Sequence, residues 1–153
     1  MPKPDSNHTV IFTHIPKTAG TTLFRVVERH YRSQNTYAIW EDGSLEDFKA
    51  LDSSRKAVIS FLRGHVGFGM HQYFPNPSSY FTILRDPMDR TLSYYPHICR
   101  VPSHYCHDTV VSKQMSLQDF VESKCDPMAS NAHTRLLSGL ETGQEIKFGE
   151  CTN

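Results

Sequence analysis

The sequence lacks any long apolar run and carries no net charge. No apolar stretch approaches the ~20 residues that a transmembrane helix needs, and residues 1–8 lack the apolar core of a signal peptide. Its 16 basic and 16 acidic residues cancel, which argues against a polybasic surface for nucleic acid or membranes. We therefore expect a cytoplasmic protein with no transmembrane segment and no nucleic-acid partner.

Cysteine is also sparse. The four cysteines are Cys99, Cys106, Cys125 and Cys151, and without a secretion signal we expect free thiols rather than disulfides. The composition, 38% apolar and 21% charged, is typical of a globular protein. The length of 153 residues predicts one domain that spans 1–153.

Strand-like and helix-like segments alternate along the chain, which predicts an α/β fold with a parallel sheet. The stretch 96–109, with two prolines and three histidines, is expected to be irregular. Strands are predicted at 9–14, 57–62 and 80–84, and helices at 21–32, 44–51, 87–95, 116–123 and 131–138.

The first motif, P-K-T-A-G-T-T, lies between the predicted strand 9–14 and the next helix. Such a turn presents backbone N–H groups and the positive end of the helix dipole to an anion. Gly20 allows close approach, and Lys17 adds an ammonium group. Because Lys17 precedes the last glycine, the motif differs from the nucleotide P-loop. An ordinary turn with a surface lysine is the alternative.

The second motif, R-D-P-M-D-R-T-L-S, follows the predicted strand 80–84. Arg85 then lies at the carboxyl end of a strand, where open α/β sheets bind ligands. Ser93 lies about two turns into the next helix; a guanidinium fork and a hydroxyl together suit a phosphate. Asp86 and Arg90 are predicted to pair on the helix surface. A helix cap formed by Arg85 and Asp86 is the alternative.

The segments HIPKTAGTT (14–22) and YFTILRDPMDRTLSYY (80–95) resemble the 5′-phosphosulfate and 3′-phosphate motifs of sulfotransferases that use 3′-phosphoadenosine 5′-phosphosulfate (PAPS). GHVGFGMHQYF (64–74) and NAHTRLLSG (131–139) resemble the carbohydrate branch related to heparan sulfate 2-O- and 6-O-sulfotransferases. The resemblance covers about residues 9–140. It implies a P-loop-like three-layer sandwich and sulfuryl transfer from PAPS to a hydroxyl on a carbohydrate or small-molecule acceptor.

The resemblance also implies residue roles. Lys17 matches the lysine that contacts the transferring sulfuryl group, and His65 matches the histidine proposed as general base. Arg85 and Ser93 match the pair that binds the 3′-phosphate, and no metal is required. The 5′-phosphosulfate loop matches Lys17, Thr18, Ala19, Gly20, Thr21 and Thr22.

The chain departs from this family in two places. Glycosaminoglycan enzymes can carry His-Gly-His where this chain has Arg63-Gly64-His65, so we expect Arg63 to lower the pKa of His65 by like-charge repulsion. Leu140 is the last residue that we align with the family by eye, whereas relatives usually continue with a further helix and strand. We therefore expect a truncated member or a fragment whose donor site is incomplete at the C-terminal side.

Two other functions stay open. A P-loop-like phosphotransferase using ATP is disfavoured because G-x-x-x-x-G-K-[ST] is missing. A non-catalytic anion-binding or interaction module is the second alternative, and the short C-terminus is compatible with it.

Potential metal ligands also cluster between residues 97 and 107. Their spacing fits no strong zinc pattern, so we expect a polar loop and no metal there. The cluster comprises His97, Cys99, His104, Cys106 and His107.

Overall fold

The structure is a computed structural model that describes residues 7–40 and 44–139. The chain divides into two compact units, Met1–Arg85 and Asp86–Asn153. The single-domain expectation stays a prediction.

The first unit contains a four-stranded, wholly parallel sheet. Its strands follow the spatial order β2-β3-β1-β4, so β1 lies between β3 and β4. This arrangement confirms the predicted α/β class and parallel sheet. The strands are β1 (Thr9–Thr13), β2 (Thr36–Ile39), β3 (Phe61–Gly64) and β4 (Ser78–Phe81).

Helices cover both faces of this sheet. Successive side chains of a strand point to opposite faces, and β1 places apolar side chains on both of them. On one face Ile11 packs with Phe48 of α2 (Ser44–Ala50). On the other face Phe12 packs with Phe24 of α1 (Gly20–Val27). The predicted three-layer arrangement, helix on sheet on helix, is therefore present in the first unit.

One element boundary differs from the prediction because a capped helix intervenes. The predicted strand 57–62 starts too early, because Ser53–Ala57 forms α3. The carboxylate of Asp52 caps that helix by accepting a hydrogen bond from the Arg55 amide at 2.7 Å.

Two further boundaries differ. The helix predicted over 21–32 stops at Val27, and Glu28–His30 is a 3-10 turn. β4 ends at Phe81 instead of continuing to Leu84.

The second unit is helical over its described residues. Its core contains Tyr94, Ile98, Val110 and Phe120. The capping box of Ser116 and the αL backbone of Gly139 confirm the ends predicted for the last two helices. The helices are α4 (Pro87–Arg100), α5 (His107–Ser112), α6 (Leu117–Ser123) and α7 (Ala132–Ser138).

The region predicted to be irregular is partly helical. α4 continues through Pro96 to Arg100, and α5 begins at His107. Pro96 costs α4 one backbone hydrogen bond, and the burial of Tyr94 and Ile98 on either side of it compensates that loss. Across the described ranges, no helix has both the length and the apolar character needed to span a bilayer.

Candidate active site

The loop between β1 and α1 has an unusual backbone. Lys17 and Ala19 adopt φ angles of 69° and 65°, a left-handed conformation that non-glycine residues rarely take. The α1 helix that follows has no side-chain cap and no acidic residue in its first turn. The N–H groups at its start are therefore oriented and uncapped by side chains, as an anion-binding turn requires.

Gly20 is required at the start of α1 because a buried ring lies against it. A Cβ atom built at this position would lie 2.2 Å from Cδ2 of His14 and 2.7 Å from its Nε2. Any side chain here would push the loop away from His14. The glycine thus fixes how closely the loop approaches the carboxyl end of β1.

The three threonines of the loop have different environments. Thr18 is buried, and its hydroxyl donates to the Ile15 carbonyl at 2.8 Å, so this side chain holds the turn together. Thr21 and Thr22 are exposed in the first turn of α1. Their hydroxyls are the ones available to a bound anion.

Arg85 connects the second motif to this loop. Its Nη1 donates a hydrogen bond to the Lys17 carbonyl at 3.2 Å, and the side chain is otherwise exposed. Nearby, the Thr82 hydroxyl donates to the Thr13 carbonyl at 2.7 Å, which joins the chain after β4 to the end of β1. The Arg85 guanidinium therefore lies against the backbone of the β1–α1 loop within the first unit.

His65 follows β3 directly and lies beside two aromatic rings. Its ring centroid is 5.2 Å from that of His14 and 5.4 Å from that of Trp40. Its side chain keeps an exposed edge, while the packed rings partly desolvate it and lower the pKa of His65. The imidazole is therefore neutral at pH 7 and able to accept a proton.

The pKa of His65 is lowered as expected, but the expected cause, repulsion by Arg63, is wrong. Burial, not Arg63, lowers the pKa of His65. The Arg63 guanidinium pairs with Glu28 at 3.2 Å and stacks over Phe24 at 4.2 Å, so a carboxylate balances part of its charge. The charge of Arg63 instead helps to lower the pKa of His14, as the third cause after burial and the charge of His65.

His14 is the residue of this site that motif reasoning misses. It is 7% exposed, and its Nδ1 has no hydrogen-bond partner. Burial, together with the positive charges of its neighbours, lowers the pKa of His14 to about 4. Its position directly after β1 is the available signal, because the ends of parallel strands meet at one edge of a sheet.

Ser93 and its neighbours belong to the second unit. Ser93 is half-buried in the second turn of α4, and its part in donor binding stays a prediction. The predicted surface pair of Asp86 and Arg90 is wrong. Asp86 instead caps α4 by accepting hydrogen bonds from the Met88 and Asp89 amides, and Arg90 is buried.

Of the potential metal ligands between residues 97 and 107, only two lie together with a further ligand-type residue in the described part of the chain. Ligand atoms of His104, Cys106 and Asp126 lie within 4.8 Å of one another. However, Nδ1 of His104 accepts a hydrogen bond from the Cys106 amide, which leaves the ring proton on Nε2 facing Asp126 and the Tyr94 hydroxyl. Burial raises the pKa of Cys106 to about 12. The three groups therefore form a hydrogen-bonded core network.

The cysteines agree with the expectation of free thiols. Cys99, Cys106 and Cys125 are unpaired by disulfides, and Cys151 lies outside the described residues.

Comparison with known proteins agrees with these motifs. Residues 4–147 match the model of the sulfotransferase family. Over 106 residues the chain is 26% identical to heparan sulfate 2-O-sulfotransferase hst-2 of Caenorhabditis elegans, covering 60% of this chain and 32% of that protein. The chain thus spans about a third of the length of this curated relative.

No solved structure matches the chain significantly. Sulfotransferases of this kind in general take PAPS as their sulfate donor. With the family model covering residues 4–147, the chain belongs to the sulfotransferase family.

Proposed function

We propose that this chain transfers a sulfuryl group from PAPS to a hydroxyl of a carbohydrate. The observation that supports the proposal is that Lys17, His65 and Arg85 follow β1, β3 and β4, three neighbouring strands of one parallel sheet whose carboxyl ends share an edge. In open α/β sheets this edge is where ligands bind. A cationic loop and a neutral base are the two groups that such a transfer needs.

The residues present fit a phosphosulfate. The uncapped start of α1 offers backbone donors, and the exposed hydroxyls of Thr21 and Thr22 lie in the same turn. No acidic side chain stands in the first turn of α1 to repel an anion. Lys17 and Arg85 add two positive charges, which oxyanions favour.

Arg85 keeps N–H donors available for the 3′-phosphate of the donor, in addition to the 5′-phosphosulfate bound by the loop. One of its five N–H groups is used on the Lys17 carbonyl. This hydrogen bond orients the guanidinium, so less side-chain entropy is lost when a ligand binds. We assign Arg85 to the 3′-phosphate of the donor; the same assignment for Ser93, implied by the family motif, stays a prediction.

The reaction breaks the bond between the donor's sulfur and its bridging oxygen and forms a bond from sulfur to the acceptor oxygen. His65 accepts the proton of the acceptor hydroxyl, since its lowered pKa keeps it unprotonated at pH 7. Lys17 stabilises the negative charge left on the phosphate oxygen. As in phosphoryl transfer, positioning and charge stabilisation supply most of the rate.

His14 positions the base instead of exchanging protons itself. With a pKa of about 4 it stays neutral throughout the neutral range, and it contacts both Gly20 and His65. Through these contacts one buried ring sets the spacing between the anion loop and the base. The carbohydrate acceptor is suggested by the name of the curated relative.

Sulfate transfer from radiolabelled PAPS to heparan sulfate and chondroitin chains tests this function. We expect His65→Ala to lower turnover by about 10²–10⁴-fold, the usual contribution of a general base. Donor affinity should stay unchanged, as followed by the fluorescence of Trp40, the single tryptophan. His30→Ala, an exposed histidine on the 3-10 turn after α1, serves as the matched control.

Unchanged turnover in His65→Ala would remove His65 from the mechanism. Absence of transfer to any glycan, with donor binding intact, would favour the non-catalytic anion-binding alternative.

A further inference from the structure

A second basic site lies in the helical unit, in a pocket between the start of α4 and the start of α7. Its volume is about 110 Å³, well below the roughly 300–1,000 Å³ of pockets for drug-sized ligands. Only a group of a few heavy atoms fits. It is lined by Pro87, Arg90, Thr91, Ala129, Asn131, Ala132, His133 and Thr134.

Arg90 is a buried cation whose hydrogen bonds are incomplete. The residue is 3% exposed, and its Nη2 donates to the Met128 carbonyl. Its Nη1 is buried without a partner. A buried guanidinium N–H left unpaired costs free energy that an acceptor in the pocket would recover.

His133 lines the same pocket and carries a second unsatisfied nitrogen. Its Nε2 is buried and has no hydrogen-bond partner. Burial, and secondly the nearby charge of Arg90, lower the pKa of His133. Arg90 and His133 thus both line one small pocket, and each carries a buried nitrogen that has no hydrogen-bond partner.

The charges around the pocket favour an anion. None of its lining residues is acidic. The carboxylate that acts on Arg90 is Asp126, whose two oxygens already accept hydrogen bonds from the Met128 amide and the Tyr94 hydroxyl. Asp126 therefore balances part of the Arg90 charge without satisfying Nη1.

We propose that this pocket binds one oxyanion group, a sulfate or a phosphate, held by Nη1 of Arg90 and Nε2 of His133. The site goes beyond the donor site proposed above. Neither Ser93 nor any residue of the loop 16–22 lines it. The oxyanion is either a free ion or a sulfate group carried on an anionic glycan.

Histidine NMR with sodium sulfate at constant ionic strength tests the proposal. We expect saturable shifts of the His133 ring resonances in the millimolar range. We also expect the pKa of His133 to rise on saturation, because the anion offsets the Arg90 charge. The exposed ring of His30 is the internal reference and should not move.

Two variants assign the binding to the named side chains. Arg90→Met should weaken sulfate binding at least tenfold, whereas Arg100→Met removes the same charge from the exposed end of α4 and should leave it unchanged. Because Arg90 is buried and its variant can fail to fold, His133→Gln provides a second test. Calorimetry on that variant should also give weaker sulfate binding.

Comparing a sulfated disaccharide with inorganic sulfate distinguishes the two sources of the anion. A sulfated disaccharide that binds tenfold more tightly than inorganic sulfate identifies a glycan sulfate, and equal affinities identify a free ion. If sulfate leaves His133 unmoved, the proposal is wrong. If only the desulfated donor PAP moves His133, the pocket belongs to the donor site and the separate site is equally excluded.

Discussion

At the scale of single residues, the site depends on a histidine that performs no chemistry. His14 fills the space between Gly20, Trp40 and His65, and its ring is too buried to hold a proton near neutral pH. A protonated His14 would place a charge beside Arg63 and His65 in a desolvated position. Acid should therefore loosen the site before it neutralises carboxylates elsewhere.

His14→Leu tests this origin of acid sensitivity. The unfolded state protonates His14 near pH 6.5 and the folded state only near pH 4, so the unfolded state binds more protons between these values and stability falls as the pH is lowered. We expect this decline to account for up to about 3 kcal/mol in the wild type. The Leu variant should show a smaller decline in urea unfolding between pH 7 and pH 4.

The lowered pKa of His65 also makes stability fall in acid, and it does so in both the wild type and the variant. Only the difference between their two pH profiles therefore reports on His14. Identical pH profiles for the wild type and His14→Leu would contradict the assignment to His14.

At the scale of elements, capping residues in the sequence predict helix ends more reliably than apolar periodicity does. α6 and α7 match their predicted ranges because Ser116 and Gly139 mark their ends in the sequence. α4 runs beyond its predicted end because core packing around Pro96 overrides the local preference. β2 is missed because a four-residue strand owes its structure to its neighbour β3.

Asp86 provides the cap that fixes α4, and with it the positions of Arg90 and Ser93. Its carboxylate accepts from the Met88 and Asp89 amides at 2.9 and 3.1 Å. We expect Asp86→Ala to lower the free energy of unfolding by about 1 kcal/mol, measured by urea titration.

Asp86→Asn is the matched variant, because an amide oxygen caps nearly as well. Equal stability losses in the Ala and Asn variants would show that charge, not capping, is what Asp86 supplies.

At the scale of the whole molecule, sequence motifs name candidate site residues but do not predict how those residues are held. Motifs single out the β1–α1 turn, Arg85 and His65 as candidates because the chemistry of sulfuryl transfer limits which residue types can serve there. The left-handed backbone of Lys17 and Ala19 and the burial of Arg90 depend on packing that no local pattern encodes. The pocket beside Arg90 is therefore visible only in the folded chain.

The proposed donor site requires that Lys17 and Arg85 bind the two phosphate-bearing ends of one nucleotide. Calorimetric titration of the chain with PAP and with ATP tests this requirement, using Lys17→Ala, Arg85→Ala and, as control, Lys113→Ala at an exposed lysine after α5. We expect tight PAP binding, weak ATP binding, and at least tenfold weaker PAP binding in the first two variants alone. Tighter binding of ATP than of PAP, or PAP binding that neither variant weakens, would show that the two residues do not share a donor nucleotide.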